Sequence, residues 1–141
     1  MSSEFVLKWG IASAGHISGD FCASLLSLNS DYHKLIAVAA RSENDAKKFA
    51  ERFHMPFHFD SYQRMVDSND INIVYVGSIN IAHREICLMA INAGKHVLCE
   101  KPMSMNAREQ EEVLQAAKNK GVFFMEVFKH FFKTLIFNAH L

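Results

Sequence analysis

Gly94-Lys95-His96-Val97-Leu98-Cys99-Glu100-Lys101-Pro102 decides how this chain is read. Glycine takes the left-handed conformation that closes a helix, so Gly94 ends the element before it. His96 to Cys99 is short and apolar, as a buried parallel strand is. Glu100, Lys101 and Pro102 then fall at the carboxyl end of that strand, the edge where open α/β sheets bind ligands. A lysine beside a carboxylate and a φ-locked proline has restricted geometry there and can donate a proton or a hydrogen bond. An isolated Lys-Pro pair would be ordinary surface. The chain around this one argues for more.

Working outward, short apolar runs alternate with helical patterns. Phe5 to Ala12 reads as a strand with Phe5, Leu7, Trp9 and Ile11 on one face. A turn over Ser13–Ser18 leads into an amphipathic helix to about Leu28, with Phe21, Cys22, Leu25, Leu26 and Leu28 at helical spacing. Leu35 to Ala40 is a second strand. Ser42 with Asp45 forms a capping box for a helix to about Phe53, with Ala46, Phe49, Ala50 and Phe53 inward. His58–Asp60 is a short strand, and Ser61 caps a short helix containing Tyr62, Met65 and Val66. Ile71–Val76 is a strand, and Ala82–Ala93 is the helix that Gly94 closes. After the lysine strand, Asn106 with Glu109 opens a helix to about Asn119, Gly121 stops it, and Val122–Val127 is the last strand.

This order, at crossover spacing, predicts an α/β fold: a doubly wound, Rossmann-like parallel sheet in three α/β/α layers. The pattern holds over residues 1–127. From Phe128 to Leu141 it fails, leaving an apolar, aromatic tail broken by Lys129 and Lys133.

Composition narrows the function classes. The chain has 141 residues, one domain's worth, and half of them are apolar. Lys+Arg and Asp+Glu are 15 each, so no basic excess points to nucleic acid and no acidic tail to disorder. The apolar runs are too short for a membrane span, and Met1-Ser2-Ser3-Glu4 lacks the basic flank of a signal peptide. Three cysteines, Cys22, Cys87 and Cys99, sit in apolar sequence and read as reduced core thiols of a cytoplasmic protein. His54 and His58 are separated by Pro56 and share no helix face, so no metal site is expected.

The first turn carries a damaged dinucleotide fingerprint. Gly-x-Gly-x-x-Gly would fall on Ser13, Gly15 and Ser18. Only the middle position, where the backbone comes closest to a pyrophosphate, keeps its glycine. Small residues at the other two still permit a tight turn, and the helix start over Gly15, His16 and Ile17 offers N–H groups to an anion. An ordinary strand-to-helix turn would look similar. At the second strand's tip, Ala40-Arg41-Ser42 has no acid for a ribose hydroxyl. Arg41 can fork onto a 2′-phosphate, with Ser42 adding a hydroxyl. Ser78, Asn80 and His83 follow the strand before the lysine strand and fall on the same edge as Lys101. A lone histidine there is either structural or a donor to a bound ligand.

Together, Trp9-Gly10-Ile11-Ala12-Ser13-Ala14-Gly15-His16-Ile17-Ser18, Val38-Ala39-Ala40-Arg41 and Ala93 through Pro102 resemble the Gfo/Idh/MocA oxidoreductases, from about Phe5 to Glu126. The nearest branch is the NADP-dependent one acting on dihydrodiols and D-xylose. The resemblance implies NADP(H) as cofactor, held by Ser13, Ala14, Gly15, His16, Ile17, Arg41, Ser42, Ser78, Asn80, His83, Glu100, Lys101 and Pro102. It also implies Lys101 as the catalytic residue that polarises the reacting oxygen of a small sugar or dihydrodiol. Three departures stand out. The family has glycine at Ser13 and a smaller residue at Ser18. It often has a basic residue at Asp45. It also follows Met125-Glu126 with a Trp-Thr-Arg-Phe-Phe-Pro run, where this chain has Val127-Phe128-Lys129-His130-Phe131-Phe132-Lys133. The family's second α+β domain, which supplies most of the substrate pocket and the dimer surface, is absent from these residues. The expectation is therefore a dehydrogenase reduced to its nucleotide-binding domain. The alternatives are a non-catalytic nucleotide-binding module and an incomplete gene model.

Overall fold

The computed structural model describes residues 5–127. Six strands form one parallel sheet: β1 (Leu7–Ala12), β2 (His33–Ala39), β3 (Phe57–Phe59), β4 (Ile73–Val76), β5 (His96–Cys99) and β6 (Phe124–Glu126), in the order β3-β2-β1-β4-β5-β6. Between them run α1 (His16–Leu26), α2 (Glu43–Arg52), α3 (Tyr62–Val66), α4 (Asn80–Asn92) and α5 (Ala107–Lys120). From β1 the chain winds outward to β2 and β3, then returns to place β4 on the other side. The resulting crevice between β1 and β4 is where this topology binds ligands.

Strand alternation sorts the core into two faces. Ile11, Ile73, Tyr75 and Leu98 pack with Cys22 and Leu25 of α1 and Phe49 and Ala50 of α2. Val74, Val76, Val97 and Cys99 pack with Met65, Ile86, Ile91 and Val113 of α3, α4 and α5. The centre is thus covered on both sides, which is why β4 is buried throughout. Each large aliphatic so buried contributes about 1.5–3 kcal/mol.

The elements start and stop where local chemistry dictates. Ser42, Ser61 and Asn106 cap α2, α3 and α5 by accepting from the N–H of Asp45, Arg64 and Glu109. The box at α5 closes one residue early, with the Glu109 carboxylate accepting from the Met105 N–H at 3.1 Å. Gly94 sits at φ +73 just beyond α4, a conformation that costs glycine nothing.

Several expected boundaries shift. Phe5 lies outside β1 and is 64% exposed, not inward. α1 ends at Leu26, where the Ser27 hydroxyl donates to the Ser24 carbonyl, and Leu26 and Leu28 are exposed. β6 is three residues rather than six. α4 begins at Asn80, two residues before the predicted start. The tail from Phe128 to Leu141, like Met1-Ser2-Ser3-Glu4, lies outside the described residues. Among the described residues, no helix is long and apolar enough to cross a membrane, and no group of His, Cys, Asp or Glu is arranged to hold a metal ion.

Candidate functional site

All strands run one way, so the turns after β1, β2, β4 and β5 share one edge. The sheet ladder continues one bond past each strand. The N–H of Ser13 donates to the Ala39 carbonyl, that of Gly77 to Ala12, that of Glu100 to Val76, that of Ala40 to Phe59 and that of Val127 to Cys99, at 2.8–3.1 Å. The residues singled out in sequence follow these bonds directly.

At the turn after β1, Ser13 adopts φ +102. A side chain is rarely tolerated there, and this is the position of the fingerprint's first glycine. Its Oγ accepts from the Gly15 N–H at 3.3 Å. Gly15 is the N-cap of α1, and the helix start has neither a side-chain cap nor an acidic residue in its first turn. A Cβ at Gly15 would meet only the Ser13 Oγ, at 3.3 Å, so the backbone stands open to an approaching group. Gly15, His16 and Ile17 are exposed and Ala14 half-buried. An uncapped helix start with open backbone fits a diphosphate. α4 also starts without a side-chain cap, at Ile79, so the two uncapped helices both rise from this edge.

Ser18 takes the other fingerprint position. It is fully buried, and its Oγ finds no hydrogen-bond partner among the described residues. It lies against Gly77 at the tip of β4. A Cβ on Gly77 would fall 2.6 Å from the Ser18 Oγ and 2.7 Å from the Tyr75 ring. This glycine lets α1 approach the sheet.

The tips of β4 and β5 are braced by side chains. The Tyr75 hydroxyl donates to the Glu100 carboxylate at 2.8 Å, and its ring stacks on Phe21 at 3.9 Å and 3°. Burial, with the Glu100 bond and charge, pushes the phenol well above its ordinary range. His83 is fully buried. Its ring nitrogens lie 2.7 Å from the Pro102 carbonyl and 2.8 Å from the Ser78 carbonyl, so none is left for a cofactor. Met103 N–H donates to the Glu126 carboxylate at 3.0 Å. Between these bonds, Lys101 is exposed, and among the described residues its ammonium makes no hydrogen bond. The Lys101–Pro102 peptide is cis. Asn80 is exposed at the start of α4, and Ser78 is half-buried.

Arg41 is exposed just past β2. Burial raises the pKa of Tyr62 beside it, and the Arg41 charge pulls the other way. The Ser42 Oγ accepts from the Asp45 N–H at 3.2 Å, which leaves its own proton free to donate.

Sequence reasoning missed the Tyr75–Glu100 pair, since 25 residues separate its members. It also missed Lys95, whose ammonium donates to the Ser68 and Ile71 carbonyls at 2.7 and 3.0 Å and anchors the segment before β4. Cys22, Cys87 and Cys99 are buried free thiols.

Comparison with known proteins agrees with this geometry. The family model for the Gfo/Idh/MocA oxidoreductases, described as an oxidoreductase family with an NAD-binding Rossmann fold, matches residues 7–128. Trans-1,2-dihydrobenzene-1,2-diol dehydrogenase of Xenopus tropicalis is 43% identical over 86% of this chain, and that of Mus musculus 41% over 92%. The chain spans only 37% and 39% of those two relatives' length. Among solved structures, KijD10, a 3-ketoreductase from Actinomadura kijaniata in complex with NADP and TDP-benzene, superposes with a TM-score of 0.80 at 28% identity. That match covers 86% of this chain and 37% of the other.

Proposed function

The chain belongs to the Gfo/Idh/MocA oxidoreductase family, and from that premise we propose that it binds NADP(H) in preference to NAD(H), as the nucleotide-binding part of a dehydrogenase acting on a small sugar or dihydrodiol. One observation carries the reading: the uncapped start of α1, an exposed Arg41 where an acid would hold a ribose hydroxyl, and an exposed Lys101 share one sheet edge. Gly15 and the first turn of α1 receive the diphosphate. Arg41, with the free proton of Ser42, receives the 2′-phosphate. A nicotinamide bound near Lys101 would supply the hydride chemistry. Lys101 hydrogen-bonds the substrate oxygen and steadies its charge, Glu100 is held by Tyr75, and His83 holds the loops rather than the cofactor. Three buried free thiols favour a reducing compartment such as the cytoplasm.

Calorimetric titration with NADPH and NADH tests the preference. NADPH is expected to bind more tightly, and Arg41→Ala to remove the difference. A lost charge-assisted contact is worth about 1.5–3 kcal/mol, or roughly one to two decades in affinity. Equal or tighter NADH binding overturns the reading. Asp45, beside the phosphate site, reduces the size of the effect but not its sign.

Binding without turnover is the reading favoured for these 141 residues alone, because Lys101 is exposed. Water around it weakens the polarisation it supplies, and nothing described fixes a substrate carbon at attack distance. With NADP+ and a panel of sugars and dihydrodiols, no reduced cofactor should accumulate. Turnover comparable to a full-length dehydrogenase would overturn that.

A further inference from the structure

His83 lies between two acceptors. Its Nδ1 is 2.7 Å from the carbonyl oxygen of Pro102 and its Nε2 2.8 Å from that of Ser78. A carbonyl oxygen cannot donate. For both contacts to be hydrogen bonds, both ring nitrogens must carry protons, and an imidazole with two N–H donors is a cation. A neutral ring would aim a lone pair at one of the two oxygens and forfeit that hydrogen bond.

The surroundings bear on this charge. Burial opposes it. Contact with Cys99 and the bonds to the Pro102 and Ser78 carbonyls outweigh burial and push the imidazole up to about 9. The Cys99 thiol is itself raised, by its bond to Cys87 and by burial, and stays neutral. Against the ring lies the Cys99 thiol on β5, which is itself bonded to Cys87 on α4. Glu100 is bonded to Tyr75 and Glu126 to the Met103 N–H.

We propose that His83 is a positioning residue: a buried imidazolium that donates to both carbonyls, ties the loop after β4 to the loop after β5, and so sets where Lys101 stands against a bound nicotinamide. The second half of this rests on the dinucleotide reading above. Ser78 leads into the uncapped start of α4, and Pro102 directly follows Lys101. A clamp on both fixes the two walls of the nicotinamide end and touches nothing at the Arg41 end.

Two measurements on the full chain test it. In long-range ¹H–¹⁵N spectra, both His83 ring nitrogens should carry protons at neutral pH and lose one near pH 9. A neutral, single-tautomer ring at neutral pH overturns the clamp. The second measurement compares NADPH with 2′,5′-ADP, which has no nicotinamide. His83→Gln should weaken NADPH about tenfold and leave 2′,5′-ADP unchanged. In the unmodified chain the ratio of the two affinities should fall as pH passes about 9. That arm needs no variant, so it holds if His83→Gln misfolds. Equal weakening of both ligands, or a flat ratio, reduces His83 to fold support and overturns the positioning role. If the unmodified chain binds neither ligand, the dinucleotide reading and the positioning role both fall, while the ring spectrum still decides the clamp.

Discussion

The turn after β1 and the tip after β5 face the same edge, yet they are built by opposite means. The turn offers backbone: an uncapped helix start and open space at Gly15. The tip offers a side chain, Lys101, on a loop held by Tyr75, His83 and Glu126. A backbone donor is indifferent to the side chain it carries, so the turn tolerates serine at two fingerprint positions. It does so with Ser13 at φ +102, a conformation costing roughly 1–3 kcal/mol. The tip has no such latitude, because each brace needs a particular side chain at a particular register. The difference teaches that a degraded motif and an intact one can sit on equally well-formed structure.

The comparison breaks most readily at Gly77, which touches both regions. Gly77→Ala drives a methyl into the Ser18 Oγ and a Tyr75 ring already stacked on Phe21. A loss of about 1–3 kcal/mol is expected in urea unfolding, with part recovered in the Gly77→Ala, Ser18→Ala double variant. An unchanged midpoint would mean that α1 and β4 are not in close register.

Ser13→Gly sharpens the contrast from the other side. It relieves the positive φ and frees the Gly15 N–H from the serine hydroxyl. Stability should rise by about 1 kcal/mol, and NADP(H) should bind more tightly by calorimetry. A less stable variant would show that the serine's own hydrogen bond outweighs its strain.

The smallest effect on stability is expected at Lys101. It is exposed, so Lys101→Met should move thermal stability within about 0.5 kcal/mol. With the domain grafted onto an intact second domain of the family, turnover should fall strongly. A large drop in melting temperature with normal turnover would make the lysine structural.

Legibility in the sequence follows the same division. His96–Cys99 forms β5 as read, and Ser42, Ser61 and Asn106 cap as read, because caps and short apolar strands are local chemistry. The parallel, doubly wound sheet followed from the alternation and the handedness of crossovers. What escaped depends on register between distant strands. Tyr75 meets Glu100 only because β4 pairs with β5 with Val76 opposite Cys99. The sequence left His83 either structural or a donor, and the structure shows both ring nitrogens engaged by backbone. The exposure of Phe5 and Leu28 turned on where strand and helix stop, which hydrophobic spacing does not fix.

The single extra ladder bond past each strand has a consequence for how a ligand arrives. Ser13, Gly77 and Glu100 begin loops, yet their amides are engaged as firmly as those inside the sheet. Ordering a residue costs about 1–2 kcal/mol, and here folding has already met that cost for the first residue of each rim segment. A dinucleotide then meets a shaped surface rather than a set of segments to be gathered. Its association should be a single kinetic phase, limited by diffusion and orientation.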